Sequence, residues 1–304
     1  RTLSVERIRM IRELRRNQTK LETDSVELTE MVTSFTAKFT DLEMTVEAVD
    51  QVNEINAKLQ QLKNEQERYN HHEKLFEFEQ ATCKPLSKLI EEFTPLHLLW
   101  NLANEWNNTI TNWLDTPFPQ IRADTMNQFI VLSGKKIVKL KKDLASQRGL
   151  VEKVILPLSQ QIDEFKQHVP LVTRLRHPGI KTKHWEKISD VVGFHVMPSM
   201  ELTLQNFFDL QLERWNDEIT EIASVAANEY SLETALDQMD ADLQTKQLVT
   251  VPFRESGHFI LNEIDDIVST IDDQLVTTQT LLTSPFIAPV KKRATDRLNF
   301  LRLA

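Results

Sequence analysis

The chain has 304 residues, of which 40% are hydrophobic and 27% charged, and a net charge of −9. Only five are glycine, against roughly 7% in ordinary proteins, which disfavours sandwiches, propellers and nucleotide-cradling folds, because these need glycine where φ turns positive or the backbone nears a phosphate. Cys83 stands alone, so neither an intrachain disulfide nor a cysteine-rich zinc site can form, and an intracellular chain of long helices is expected.

From Arg1 to Lys84 there is neither Gly nor Pro, so nothing in that composition stops a helix, and continuous helix is the expectation. Leu28, Val32, Phe35, Phe39, Leu42, Val46 and Val49 step by four and three, which puts them on one stripe at the coiled-coil period. Val52, Ile55, Leu59 and Leu62 continue it in a shifted register. An intermolecular coiled coil and an intramolecular bundle both fit, and the two Phe favour the bundle, which accommodates bulky rings better than a narrow two-stranded seam.

Pro85 and Pro95 are expected to interrupt the next region, where Leu86, Leu89, Phe93, Leu96, Leu99, Trp100 and Trp106 recur at helical spacing. The Thr116-Pro117-Phe118-Pro119 run reads as a break. Ile121, Phe129, Leu132, Ile137 and Leu140 mark a further helix that carries Lys135, Lys136, Lys139, Lys141 and Lys142. Gly149, Pro157, Pro170 and His177-Pro178-Gly179 punctuate shorter pieces, and the stretch from Pro170 to Gly193 is expected to be a compliant junction.

One long acidic helix is expected from about Glu201 to Asp242, with a bend near Tyr230 to Glu233. Apolar residues on either side of Glu255-Ser256-Gly257 suggest a hairpin over 247–261. The helical period then returns from Leu261 to Leu282, ends at Ser284-Pro285, and gives way to a basic terminal helix.

Charge is segregated along the chain. Residues 1–20 hold seven Arg or Lys against Glu6 and Glu13, whereas residues 201–280 hold seventeen Asp or Glu against Arg214, Lys246 and Arg254. That acidic density repels nucleic acid and anionic bilayers, so neither is an expected partner. Apolar runs such as Phe129-Ile130-Val131-Leu132 fall far short of the roughly 20 residues of a membrane span, and with Arg1 at the start the chain reads as a soluble fragment.

No catalytic constellation emerges. A phosphate-binding loop at Gly134-Lys135 would need a glycine where Phe129 stands and a hydroxyl where Lys136 stands. The five lysines therefore read as a solvated helix face, with an acidic partner as the alternative. Asp265, Asp266, Asp272 and Asp273 fall on one side of a helix and read as a water-facing stripe rather than as converging acid and base. His71, His72 and Glu73 lack the second histidine of a zinc-protease helix. No cofactor or metal is expected.

Four ordered blocks carry a family resemblance. The first is Leu175-Arg176-His177-Pro178-Gly179 continuing from Ile180 to Ile188 through Lys181, Lys183 and His184-Trp185, and the second is Ser231 to Leu236 around Glu233. The third is Gly257 to Leu261 with Ile260, and the fourth runs from Ile271-Asp272-Asp273-Gln274 to Ser284-Pro285-Phe286-Ile287. Together they resemble the linker region of dynein heavy chains, axonemal more than cytoplasmic. Leu243 and Arg297-Leu298-Asn299 stand where that family usually has Trp.

The resemblance implies an all-α fold, an elongated rod of helical bundles with at most one short hairpin. Residues 1–75 would be tail-proximal long helices, 76–170 the N-terminal bundle of the linker, and 171–304 its central bundle, ending before the motor ring. It also implies a lever without chemistry of its own, which works against the AAA+ ring of the same heavy chain in the cytoskeleton, and in the axoneme of a cilium. Tail-associated chains or another heavy chain would be further partners. The competing class is a static helical scaffold.

Overall fold

The structure, a computed structural model, describes residues 2–75, 83–252, 254, 259–262 and 264–303. Helix dominates, and among the described residues the one sheet is a two-stranded hairpin, as the all-α reading requires. The chain forms two compact units, Arg1–Thr116 with Arg122–Val169, and Pro117–Ile121 with Pro170–Ala304.

The first unit opens with α1 (Thr2–Lys38) and α2 (Thr45–Leu75). The expected continuous helix therefore breaks near Phe39 without help from Gly or Pro. Asp41 supplies the reason: in extended conformation, its carboxylate accepts the Glu43 N–H at 3.1 Å and starts a new helical turn at Leu42, the N-cap role that short acidic side chains perform well. The apolar stripe crosses this break, so not all of it faces inward. Phe35, Phe39, Leu42 and Val49 are buried, but Val46 is 73% exposed.

Phe35 and Phe39 meet Trp100 of α3 (Lys84–Asp115) edge-on, with ring centroids 6.3 and 6.2 Å away. The aromatic seam residues are thus satisfied inside the chain, as the bundle reading has it. Pro85 opens α3, where its missing N–H costs nothing. Pro95 lies within α3 and does not end it. A proline there costs about 3 kcal/mol, but Phe93, Leu96, Leu99 and Trp100 around it are all buried, each contributing about 1.5–3 kcal/mol. Tertiary burial outweighs the local penalty.

After α4 (Ala123–Asp143) come a short helical turn α5 (Arg148–Leu150), a π-helical turn at Val151–Ile155, and α6 (Leu156–Leu175). Trp106 and Trp113 of α3, Phe129 of α4 and Phe165 of α6 form a four-ring box with centroids 5.4–6.0 Å apart. Pro157 stands in the first turn of α6, where the π-helical turn ends, as a punctuating proline should. Pro170 does not punctuate the chain as expected but sits inside α6, whose buried side includes Leu158, Ile162, Phe165, Val169 and Val172.

The second unit contains α7 (Thr182–Val192), the short α8 (Leu204–Asp209) and α9 (Asn216–Thr245). The single acidic helix expected from Glu201 to Asp242 is divided: Gln211 adopts φ 50° between α8 and a 3-10 turn at Leu212–Trp215. That left-handed step turns Phe207 and Leu212 inward together, and both are buried. The expected bend at Tyr230 to Glu233 does not end the helix, since α9 runs through it.

β1 (Val249–Pro252) and β2 (Phe259–Asn262) pair antiparallel, with Val251 opposite Ile260. This places the hairpin in the expected span, although Gly257 lies outside the described residues. α10 (Asp265–Leu282) and α11 (Lys291–Leu303) follow. They pack on α9 through a core of Leu232, Leu236, Met239, Ile287 and Ala294.

Candidate functional site

Of the resemblance residues, His177, Gly179 and His184 converge where the turn before α7, which also holds Pro178, meets α9, and Glu233 joins them from α9. Gly179 sits so close to α9 that a Cβ there would lie 2.4 Å from the Ala226 carbonyl oxygen and 2.7 Å from Tyr230 Cβ. The need is steric, because only hydrogen fits between the turn and the helix. His177 fixes the turn from within: its Nδ1 accepts the Gly179 N–H at 3.0 Å, and its ring meets Tyr230 edge-on at 5.5 Å.

Lys181 and Lys183, together with His184, pin α7 to α9. Lys181 Nζ donates to Glu233 Oε2 at 2.7 Å, and Lys183 Nζ donates to Glu229 Oε2 at 2.5 Å. His184 is buried, and its Nδ1 accepts the Lys181 backbone N–H at 3.0 Å. That assignment puts the ring proton on Nε2, which lies 3.1 Å from Glu229 Oε2 and donates to it. Both ring nitrogens are therefore engaged, so the imidazole is built to hold two helices rather than to shuttle a proton.

Burial lowers the His184 pKa, with Lys183 and Lys187 acting the same way and Glu229 opposing them. A cationic form disfavoured by folding means that the unfolded chain binds more protons, so this contribution is complete above about pH 6.5 and declines as pH falls below it. The imidazole resonances of His184 should therefore titrate below pH 6.5 by NMR. A midpoint above 6.5 would show that Glu229 outweighs burial.

Trp185 faces the other way, into a strap made by residues Pro117–Ile121. Phe118 stacks on Phe207 at 4.3 Å and meets Trp185 edge-on at 5.9 Å. The strap is tied down by the Phe118 N–H to the Leu202 carbonyl at 2.7 Å, and by Arg176 Nε to the Ile121 carbonyl at 3.0 Å.

The remaining expected residues lie apart from this joint. Ile260 is exposed on β2, and Asp272 and Asp273 are exposed on α10. Ser284 Oγ accepts the Phe286 N–H at 3.3 Å in the turn after α10, beside an exposed Pro285.

Gln274, which closes the Ile271-Asp272-Asp273-Gln274 block of the resemblance, organises that end of the unit. It is buried, and its amide donates to the Met239 carbonyl at 3.0 Å while accepting from Arg297 at 2.6 Å. Arg297 also pairs with Asp240, and Arg293 reaches Asp237 at 2.6 Å. The signal was available: Ile267, Ile271, Gln274, Thr278 and Leu281 keep the helical step, with Gln and Thr at positions where apolar residues are usual. Gln274→Met should cost about 2–4 kcal/mol in urea unfolding, because it leaves a buried guanidinium short of an acceptor. Adding Arg297→Met should recover most of that loss, and a double variant no more stable than the single one contradicts the coupling.

Among the described residues no helix is long and apolar enough to cross a membrane, and no group of three His, Cys, Asp or Glu is placed to hold a metal. The joint consists of two helices held by sterics, ion pairs and an aromatic edge.

The family model described as "Dynein heavy chain, N-terminal region 2" matches residues 86–304. The chain belongs to the dynein heavy chain family. Dynein axonemal heavy chain 1 of Rattus norvegicus is 31% identical over 247 residues, covering 79% of this chain and 5% of that protein. Dynein axonemal heavy chain 3 of Homo sapiens is 31% identical over 246 residues, 80% of this chain and 6% of its own length. Dynein axonemal heavy chain 2 of Homo sapiens is 25% identical over 259 residues, again 6% of its length. The chain thus spans about a twentieth of these dynein relatives. Both the α7–α9 joint and the Gln274 network lie inside the part matched to the dynein family model.

Proposed function

We propose that this segment is the non-catalytic lever of a dynein heavy chain, which swings relative to the AAA+ ring of the same chain and drives minus-end-directed movement along microtubules. ATP hydrolysis belongs to the ring in this reading. Kinship with heavy chains named axonemal supports work in the cytoskeleton of a cilium or flagellum, with tail-associated chains or another heavy chain as further partners. Residues 1–75 are then tail-proximal, 76–170 the first linker bundle and 171–304 the central one. The stretch from Pro170 to Gly193 is where compliance is expected.

The match of residues 86–304 to the N-terminal region of dynein heavy chains carries the proposal. The physical character of the chain supports it: long glycine-poor helices transmit displacement rather than absorb it. The test is energy transfer between one dye on exposed Asp272 and another on the ring of a motile heavy chain containing this segment. A dye separation that changes between ATP and nucleotide-free states is expected. An unchanged separation with ATP hydrolysis intact overturns the lever and leaves a static scaffold.

A further inference from the structure

The lysine helix α4 presents a second surface. Its inner side is set by Met126, Ile130, Ile137 and Leu140, all buried. At about 100° per residue, Val131, Lys135, Val138, Lys139 and Lys142 fall on the opposite side, with Leu132 at its edge. The exposed apolar members are conspicuous: Val131 is 41%, Leu132 54% and Val138 57% exposed.

Among the described residues, Lys136 pairs with Glu105 at 3.3 Å, whereas Lys135, Lys139, Lys141 and Lys142 carry no ion pair. From Val131 to Lys142 the helix thus offers about 16 Å of surface on which aliphatic groups alternate with unneutralised cations.

We propose that this face docks an acidic amphipathic helix of a partner protein. The partner's carboxylates would lie over Lys135, Lys139 and Lys142, and a short aliphatic stripe over Val131, Leu132 and Val138. Charge complementarity selects the sign of the partner, and the helical repeat of the cations selects its form. Other polyanions fit less well. Single-stranded nucleic acid is gripped by stacking on aromatic rings, but the aromatic ring of this helix, Phe129, is occupied between Trp106 and Trp113. Membrane-surface helices carry bulky Trp, Phe or Leu, whereas this face has two valines and one leucine, on a chain of net charge −9.

The test uses fluorescence anisotropy of the 304-residue chain with a labelled helical peptide of alternating glutamate and leucine at three- and four-residue steps. Saturable binding is expected, weakened about tenfold or more by Lys135→Glu with Lys139→Glu and Lys142→Glu. Leu132→Ser with Val138→Ser should weaken it to a similar degree. Lys141→Glu, on the flank of the helix, should change it less than Lys139→Glu, and this single pair decides the matter should the triple variant misfold. Absence of saturable binding, or equal binding by all variants, overturns the proposal. So does preferential capture of heparin or phosphatidylserine vesicles with the same dependence on the lysines.

Discussion

Gly179→Ala should destabilise the second unit by about 3 kcal/mol or more, the upper end of what overpacking costs. The added methyl would meet the Ala226 carbonyl oxygen at 2.4 Å and carbonyl carbon at 3.0 Å. Those are backbone atoms of a thirty-residue helix, so they cannot step aside as a side-chain tip would. Relief requires the turn to lift from α9, which stretches the Lys181–Glu233 and His184–Glu229 contacts together. A fall in unfolding temperature on the order of 10 °C is expected, with faster amide exchange in α7. Gly134→Ala is the matching control, because nothing lies within 4 Å of its added methyl and a mid-helix glycine is about 1 kcal/mol worse than alanine. If both substitutions stabilise the chain, the steric account of Gly179 is wrong.

Phe118→Ala should cost about 3–5 kcal/mol, the range for deleting a buried aromatic ring. Phe118 is 0% exposed, and its ring is shared among Phe207, Trp185 and the Arg176 guanidinium 5.9 Å away. Removing it empties the centre of the strap while its backbone bond to Leu202 remains. Urea unfolding gives the cost directly, and the emission of Trp185 should shift to the red as water reaches its edge. Phe118→Leu should restore most of the lost stability. Equal losses for Ala and Leu would mean that stacking on Phe207, rather than filled volume, carries the energy.

Much of this architecture was legible in the residues. Scarce glycine, helical periodicity and the Thr116–Pro119 break led to an all-α chain with α3 and α4 on either side of that break, and the apolar residues flanking Glu255-Ser256-Gly257 led to the hairpin. The misplaced boundaries have local causes that composition hides. Asp41 ends a helical run by capping the next turn, Gln211 takes a left-handed step, and Pro95 and Pro170 stay within helices because their neighbours are buried. The resemblance pointed to His177, Gly179, His184 and Trp185 in a block that also holds Lys181 and Lys183, but not to Glu229, which completes the joint across some 45 residues of sequence.

Alone, the sequence determined that the chain is helical with one hairpin, and membership of the dynein heavy chain family, since periodicity and motif blocks are properties of neighbours along the chain. The tertiary structure decided what those sides touch. A glycine such as Gly179 is required only because α9 arrives against it, and Gln274 is buried only because Met239 and Arg297 come to meet it. Contacts between residues distant along the chain leave no periodic trace, so they are settled by packing.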